Sequence, residues 1–276
     1  MHVFTLAFLS LLCLHAERKT KEYDHIGGGG YSKDPSGEVT VDGYRPQWGN
    51  FHNDSGGECG VPISTRFQMP RSKVAGSNGV FWYSYDFATV HTTVISSEHD
   101  LSPGSRQYIW LEEDLKSVNR TQTPWLVVES HRALYDRGGE NGTWWQPNHV
   151  VGREMRNSIE PLLKQYEVDV VFAGHYHEYH RTCDGLYQDV CHNGGPMHIT
   201  IGTGGATFLF GQKPVVQAWS AKFIQETYGY GRITVVDATS MHFEFVQVDA
   251  SDDPEESDSV STGQVLDDVW ITRRRR

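Results

Sequence analysis

At 276 residues and 31.2 kDa, the chain is long enough to bury a full core as one large domain or two closely packed ones. A charged fraction of 21% and an aromatic fraction of 12% suit a folded protein and exclude a disordered one. The net charge of −11 argues against general nucleic-acid binding, which needs a basic face, and no interior run approaches the roughly twenty apolar residues of a membrane span.

In chain order, residues 1–16 read as a signal peptide. Residues 3–14 are mostly apolar and Leu14-His15-Ala16 offers a small residue before Glu17, although the start carries His2 and no Lys or Arg. A buried N-terminal strand is the competing reading. N-x-S/T triplets at Asn53, Asn119 and Asn141 are glycosylation acceptors and agree with a secreted, extracellular or vacuolar-route protein. Residues 27–30 and 33–37 form a glycine-rich irregular region. Dense aromatic and β-branched content predicts strands over 81–87 and 90–96, joined by a short turn.

Residues 106–118 then show helical spacing, with Tyr108, Leu111, Leu115 and Val118 three or four apart. A short apolar run from Trp125 follows and ends in His131. The same sequence of events repeats: a helix over 153–166, carrying Met155, Ile159, Leu162, Leu163 and Tyr166, and an apolar run over 168–173. Cys183 and Cys191 flank a short polar loop and are placed to close a disulfide, whereas Cys59 has no obvious partner. Residues 197–201 form a strand that runs into Gly202-Thr203-Gly204-Gly205, a cluster that lets backbone pass close by. Residues 231–236 and 241–248 read as an antiparallel pair and 265–271 as a last strand, with an acidic loop over 251–259. Helix–strand–helix–strand is the pattern of an α/β fold with a parallel sheet and crossover helices.

The informative stretch is Gly174-His175-Tyr176-His177, at the end of the second apolar run. On an extended backbone two imidazoles at i and i+2 project the same way, and neutral imidazole is a common ligand of zinc and iron. Ligands of parallel sheets bind beyond the carboxyl ends of the strands. His131, His175 and His177 all stand at such ends, so they are expected to converge on one site.

Five separated motifs carry a resemblance. Gly57-Glu58-Cys59-Gly60-Val61-Pro62, Ser97-Glu98-His99-Asp100, Ser130-His131-Arg132, Gly174-His175-Tyr176-His177-Glu178-Tyr179 and Tyr230-Gly231-Arg232 occur in that order. Together they resemble the purple acid phosphatases, within the calcineurin-like metallophosphoesterases, over about residues 22–271. The resemblance implies an α/β metallophosphoesterase-like β-sandwich flanked by helices. It divides the chain into a catalytic part over 17–192 and a C-terminal segment over 193–276. It also implies a hydrolase of small phosphomonoesters working through Fe(III) paired with Fe(II), Zn(II) or Mn(II). His131 and His175 would then hold the divalent ion and His177 the Fe(III).

The chain also departs from the family pattern. Lys19-Thr20-Lys21 stands where the relatives' Gly-Asn-His would be, and no Gly-Asp pair precedes it, so three of seven metal ligands remain. The first strands of the catalytic domain are expected to be missing, the chain reads as N-terminally truncated, and a parallel strand edge is expected to be exposed. Hydrolysis is expected to be impaired, the alternative being a secreted non-catalytic relative that binds metal, phosphate or a partner. Glu98 and His99 are candidates for acid–base chemistry, against a hydrogen-bonded turn. Trp144 and Trp145, in the loop after His131, are candidates for stacking on the organic part of a substrate, against simple packing.

Overall fold

The computed structural model describes His2–Val3 and residues 67–136, 146–205, 208, 217–248 and 263–273. Thirteen elements are described: β1 His2–Val3, β2 Tyr83–Phe87, β3 Val90–Val94, α1 Arg106–Ser117, β4 Trp125–Ser130, α2 Gln146–Gln165, β5 Val170–Ala173, β6 Tyr179–Thr182, β7 Met197–Ile201, β8 Ser220–Ile224, β9 Gly229–Val235, β10 Ser240–Gln247 and β11 Val265–Thr272. They build a seven-stranded mixed sheet, ordered β2-β3-β4-β5-β7-β6-β8, and a four-stranded antiparallel sheet, ordered β1-β9-β10-β11.

Side-chain alternation explains the layering. Strands β4 and β5 are apolar on both faces, as strands covered on both sides must be. Leu126, Val128 and Val171 face one core with Trp110, Leu111 and Leu115 of α1 and Met155, Ile159 and Leu163 of α2. Trp125, Val127, Val170 and Phe172 face the other core, with Ile233, Val235, Met241, Phe243 and Phe245 of the second sheet. The result is a sandwich of two sheets with helices on the outer face of the larger one. Trp125, fully buried, also donates its indole N–H to the Asp237 carbonyl at 2.8 Å and so ties the two sheets together.

The helices begin where local chemistry allows. Ser105 caps α1, its hydroxyl accepting from the Tyr108 amide at 3.2 Å. Helix α2 begins at Gln146, earlier than the expected 153. Gly152 lies inside the helix. A Cβ there would stand 3.0 Å from the Ala133 carbonyl, so the glycine lets α2 pass against the loop that follows β4.

Three further differences have physical causes. Strand β6 escapes the periodicity because its side chains make polar contacts between the sheets. Tyr179 Oη donates to Asp267 at 2.6 Å, and Arg181 holds the same carboxylate with Nε at 2.6 Å and Nη2 at 3.1 Å. Strand β8 is an edge strand with no fully buried residue, so it carries no apolar signal. The exposed parallel edge does not occur among the described residues. β3, β4, β5 and β7 pair in parallel inside the larger sheet, and antiparallel neighbours, β2 on one side and β6 and β8 on the other, flank them. At the other sheet, His2–Val3 pairs antiparallel with Thr234 and Val235 of β9.

The loop from β7 is pressed onto the histidine loop. A Cβ on Gly202 would lie 1.7 Å from the Tyr176 carbonyl oxygen, and the Gly202 amide donates to the Glu178 carbonyl at 3.0 Å. Gly202→Ala therefore forces the 174–178 loop off its seat. Thermal or urea unfolding should show a loss on the order of 3 kcal/mol, in the upper range for overpacking.

A buried imidazole sits beneath the β2–β3 hairpin. His91 Nδ1 meets Asp86 Oδ1 at 2.6 Å and Nε2 meets Asp114 Oδ2 at 3.2 Å, while Ser84 and Thr93 hydroxyls donate to Asp114 at 2.5 and 2.8 Å. Burial pushes the His91 pKa down, but the two carboxylates outweigh it and raise it. A raised folded-state pKa gives stability that is fully present below the unfolded value of about 6.5 and is lost as pH rises through the folded value. Urea midpoints of the wild-type chain should therefore fall as pH rises above the unfolded value of about 6.5, and His91→Asn should flatten that dependence.

Candidate metal centre

The parallel register of β4 and β5 places Ser130 opposite Ala173, and both strands end there. One more ladder-like bond, from the Gly174 amide to the His131 carbonyl at 3.0 Å, carries the pairing past the strand ends. His131 and His175 then meet directly: His175 Nδ1 lies 2.9 Å from His131 Nε2, one nitrogen donating to the other. Their rings stand edge to face with centroids 4.9 Å apart.

The extended backbone expected over 174–177 is not what brings them together. The Tyr176 amide bonds back to the Gly174 carbonyl at 2.7 Å, closing a γ-turn with His175 at its centre and φ of 63°. A non-glycine residue in this region costs on the order of 1–3 kcal/mol and is held only where its surroundings over-determine it. Here the turn swings the His175 ring towards β4, and the i, i+2 alternation of a strand no longer applies to His175 and His177. Tyr176 between them is buried and hydrogen-bonded to Asp136; burial first, and then the Asp136 carboxylate, raises its pKa well above the ordinary value.

All three histidines are half-buried. Burial drives the His131 pKa down to about 4, with Arg132 and His177 adding to the fall and Glu98 opposing it. Burial likewise takes His175 to about 2, helped by His131, Arg132 and His177. Both imidazoles are therefore neutral under ordinary conditions, which is the form that ligates a metal. Two nitrogens bound to tetrahedral zinc at about 2.0–2.1 Å stand about 3.3 Å apart. Opening the 2.9 Å contact by a few tenths of an ångström would seat an ion. The pair fits a divalent cation as two of its ligands.

His177 does not complete a triad with them. Among the described residues, the group of three His, Cys, Asp or Glu side chains with ligand atoms mutually within 4.8 Å is His242, Glu244 and Asp268, on the outer face of the second sheet. That group is a satisfied ion network. Arg232 holds both Glu244 oxygens at 2.7 and 2.9 Å, and His242 Nε2 meets Asp268 at 2.9 Å.

The other expected residues fall in separate places. Glu98 pairs with Arg132, with Nε at 2.6 Å and Nη2 at 3.2 Å from its two oxygens. His99 is 2% exposed, bonded through Nδ1 to Ser96 Oγ at 2.7 Å and packed against the Phe81 and Trp82 rings. Asn119 is exposed after α1, its Oδ1 accepting from the amide and hydroxyl of Thr121 at 3.1 and 2.7 Å. Cys183 and Cys191 form a disulfide. Trp144, Trp145, Asn53, Asn141, Cys59, the Lys19-Thr20-Lys21 segment and the acidic loop over 251–259 lie outside the described residues.

Two residues, one beside the site and one in the strand that leads to it, have no role in the sequence reading. Arg132 stands next to His131 and its charge reaches both histidines. Glu129, inside the otherwise apolar β4, has its carboxyl pushed up to about 8 by burial. A carboxylate within a strand covered on both faces was the available signal for the second.

Comparison with known proteins gives the family. The Calcineurin-like phosphoesterase family matches residues 38–179, and the Iron/zinc purple acid phosphatase-like protein C family matches residues 195–268. The chain is 36% identical over 216 residues to "Probable inactive purple acid phosphatase 27" of Arabidopsis thaliana, covering 72% of this chain and 33% of that protein. It is 34% identical over 243 residues to "Nucleotide pyrophosphatase/phosphodiesterase" of Hordeum vulgare, covering 84% of this chain and 60% of that one. The solved structure of a purple acid phosphatase from yellow lupin (Lupinus luteus) seeds superposes with a TM-score of 0.65 at 32% identity, covering 82% of this chain and 38% of the lupin chain. The chain thus spans about a third of the length of the Arabidopsis and lupin proteins. With the histidine pair at the carboxyl end of the sheet and both family matches in order, the chain belongs to the calcineurin-like phosphoesterases, among the purple acid phosphatases.

Proposed function

We propose that this chain presents the histidine part of a binuclear metal centre of acid phosphatase type, directed at small phosphoric monoesters, and that hydrolysis by it is impaired. The contact that supports the reading is His131 Nε2 to His175 Nδ1 at 2.9 Å, between two neutral imidazoles at adjacent parallel strand ends. In this reading His131 and His175 hold the divalent ion, Fe(II), Zn(II) or Mn(II), and His177 faces the Fe(III). When bound, a metal pair would supply Lewis-acid stabilisation of phosphoester charge and a water-derived nucleophile near neutral pH.

The chain's own residues bind and orient. The γ-turn at His175 fixes one imidazole, the β4 terminus fixes the other, and the buried Tyr176–Asp136 bond anchors the loop between them. Impairment follows from the donor set. Hard Fe(III) depends on anionic oxygen ligands, and the sequence carries no Gly-Asp or Gly-Asn-His motif to provide the family's oxygen ligands. A structural zinc with four ligands is worth about 10–16 kcal/mol. Spread evenly, two imidazoles give roughly 5–8 kcal/mol, a Kd on the order of 10 µM. A secreted or vacuolar route is supported by the Cys183–Cys191 disulfide, since such bonds persist in oxidising compartments.

Metal analysis of the purified full chain, Zn2+ titration and p-nitrophenyl phosphate hydrolysis test the proposal together. Desalted protein should hold well under one ion per chain, Zn2+ should rebind in the range of about 10 µM, and turnover should be negligible. Rebinding should weaken at least about tenfold in His131→Ala and His175→Ala. Stoichiometric, tightly held metal with turnover lost in His177→Ala would overturn the impairment. Zn2+ binding indifferent to His131 and His175 would overturn the metal reading.

A further inference from the structure

The segment after β3 is built as a clamp on the residue next to His131. Its base is fixed by helix α1: the Ser96 amide donates to Gln107 Oε1 at 2.7 Å, and Gln107 Nε2 donates back to the Ser96 carbonyl at 3.0 Å. Gln107 is 1% exposed, so this anchor is part of the helix-side core. The Ser96 hydroxyl in turn accepts from the Glu98 amide at 3.3 Å and meets His99 Nδ1 at 2.7 Å.

From this fixed segment two groups reach Arg132. Ser97 Oγ accepts from the Arg132 amide at 3.2 Å. Glu98 takes the guanidinium in a two-point grip, Nε at 2.6 Å and Nη2 at 3.2 Å. The two side chains are only 16% and 15% exposed, so the pair is largely removed from water. On its other side the Arg132 carbonyl accepts from Ser130 Oγ at 2.7 Å. Backbone and side chain of Arg132 are therefore both held, and His131 lies between two tied residues.

A guanidinium stays charged at every pH of interest and stands one residue from an imidazole that faces a second imidazole. Uncompensated, it would repel any cation entering between those rings, and the partial burial limits screening by solvent. We propose that Glu98 is a positioning residue whose carboxylate cancels the Arg132 charge beside the His131–His175 pair and thereby sets that pair's affinity for a divalent cation. The inference rests on the reading of the pair as a cation site. It gives Glu98 a role through Arg132 and not as an acid or base acting on substrate.

The test is Co2+ titration of the full chain, followed by calorimetry and by the visible absorption of the bound ion. The His242→Ala background removes any contribution from the His242–Glu244–Asp268 group. Glu98→Gln keeps the shape of the side chain and removes its charge, and it should weaken Co2+ binding by about tenfold or more, within the range seen for partners of metal ligands. The double variant Glu98→Gln with Arg132→Gln removes both charges and should return to within about threefold of the parent, on the same compensation argument. A parent-like Glu98→Gln chain, or a double variant as weak as the single one, would overturn the inference. Should melting show that Glu98→Gln has lost its fold, Arg132→Gln alone decides: binding at least as tight as the parent supports charge compensation, and weaker binding refutes it. If the parent itself binds no Co2+ through His131 and His175, the proposed function and this inference fall together. If the parent binds and only the Glu98 arms fail, the proposed function stands.

Discussion

The site depends on the parallel register between β4 and β5. Ser130 opposite Ala173 is the last pair of that ladder, and the bond from the Gly174 amide to the His131 carbonyl extends it by one step. Parallel pairing makes both strands end on the same edge of the sheet. Whatever residue follows each strand must then arrive within reach of the other, and here both are histidines. An antiparallel pairing of the same segments would send His131 and His175 to opposite edges. The crossover helix α2, whose Gly152 allows it to lie against the Ala133 carbonyl, makes the parallel arrangement possible.

Much of this framework was legible in the sequence because burial on both faces leaves continuous apolar runs. Residues 125–130 and 168–173 announce themselves that way, and α1 shows a helical stripe ending in its core contacts Trp110, Leu111 and Leu115. What was not legible is pairing across distance. Strand β6 is held by Tyr179 and Arg181 reaching Asp267, 86 or more positions away, and a polar side chain used in that way leaves no local period. The Glu98–Arg132 pair spans 34 positions for the same reason. The γ-turn at His175 was hidden differently. A histidine in the left-handed region has no sequence signature, and the extended reading of Gly174 to His177 was the reasonable default.

Desolvation accounts for the chemical character of the site. Half-buried, crowded by each other and by Arg132, His131 and His175 hold their protons poorly, so they remain neutral ligands well into acid. The same burial pushes the neighbouring Glu129 in the opposite sense, to about 8, leaving its carboxyl uncharged over the acid range. One cause, removal from water, therefore prepares two neutral nitrogen donors and mutes the acidic group in the same strand. As a general matter, neutral imidazole suits borderline ions better than hard ions that demand charge.

How those donors are presented depends on the layers beneath them. The layers that hold the histidines are intact among the described residues: both cores are closed, and the Tyr179–Asp267–Arg181 contact fastens one sheet to the other. The γ-turn at His175 and the end of β4 set the contact between the two imidazoles. Charge supply is a separate requirement, since hard ions depend on anionic oxygen ligands. Fold and ligand geometry on one side, and charge supply on the other, are thus separable properties of this architecture. Among the described residues the charges beside the imidazole pair, on Arg132 and Glu98, are held by the fold as the rings themselves are.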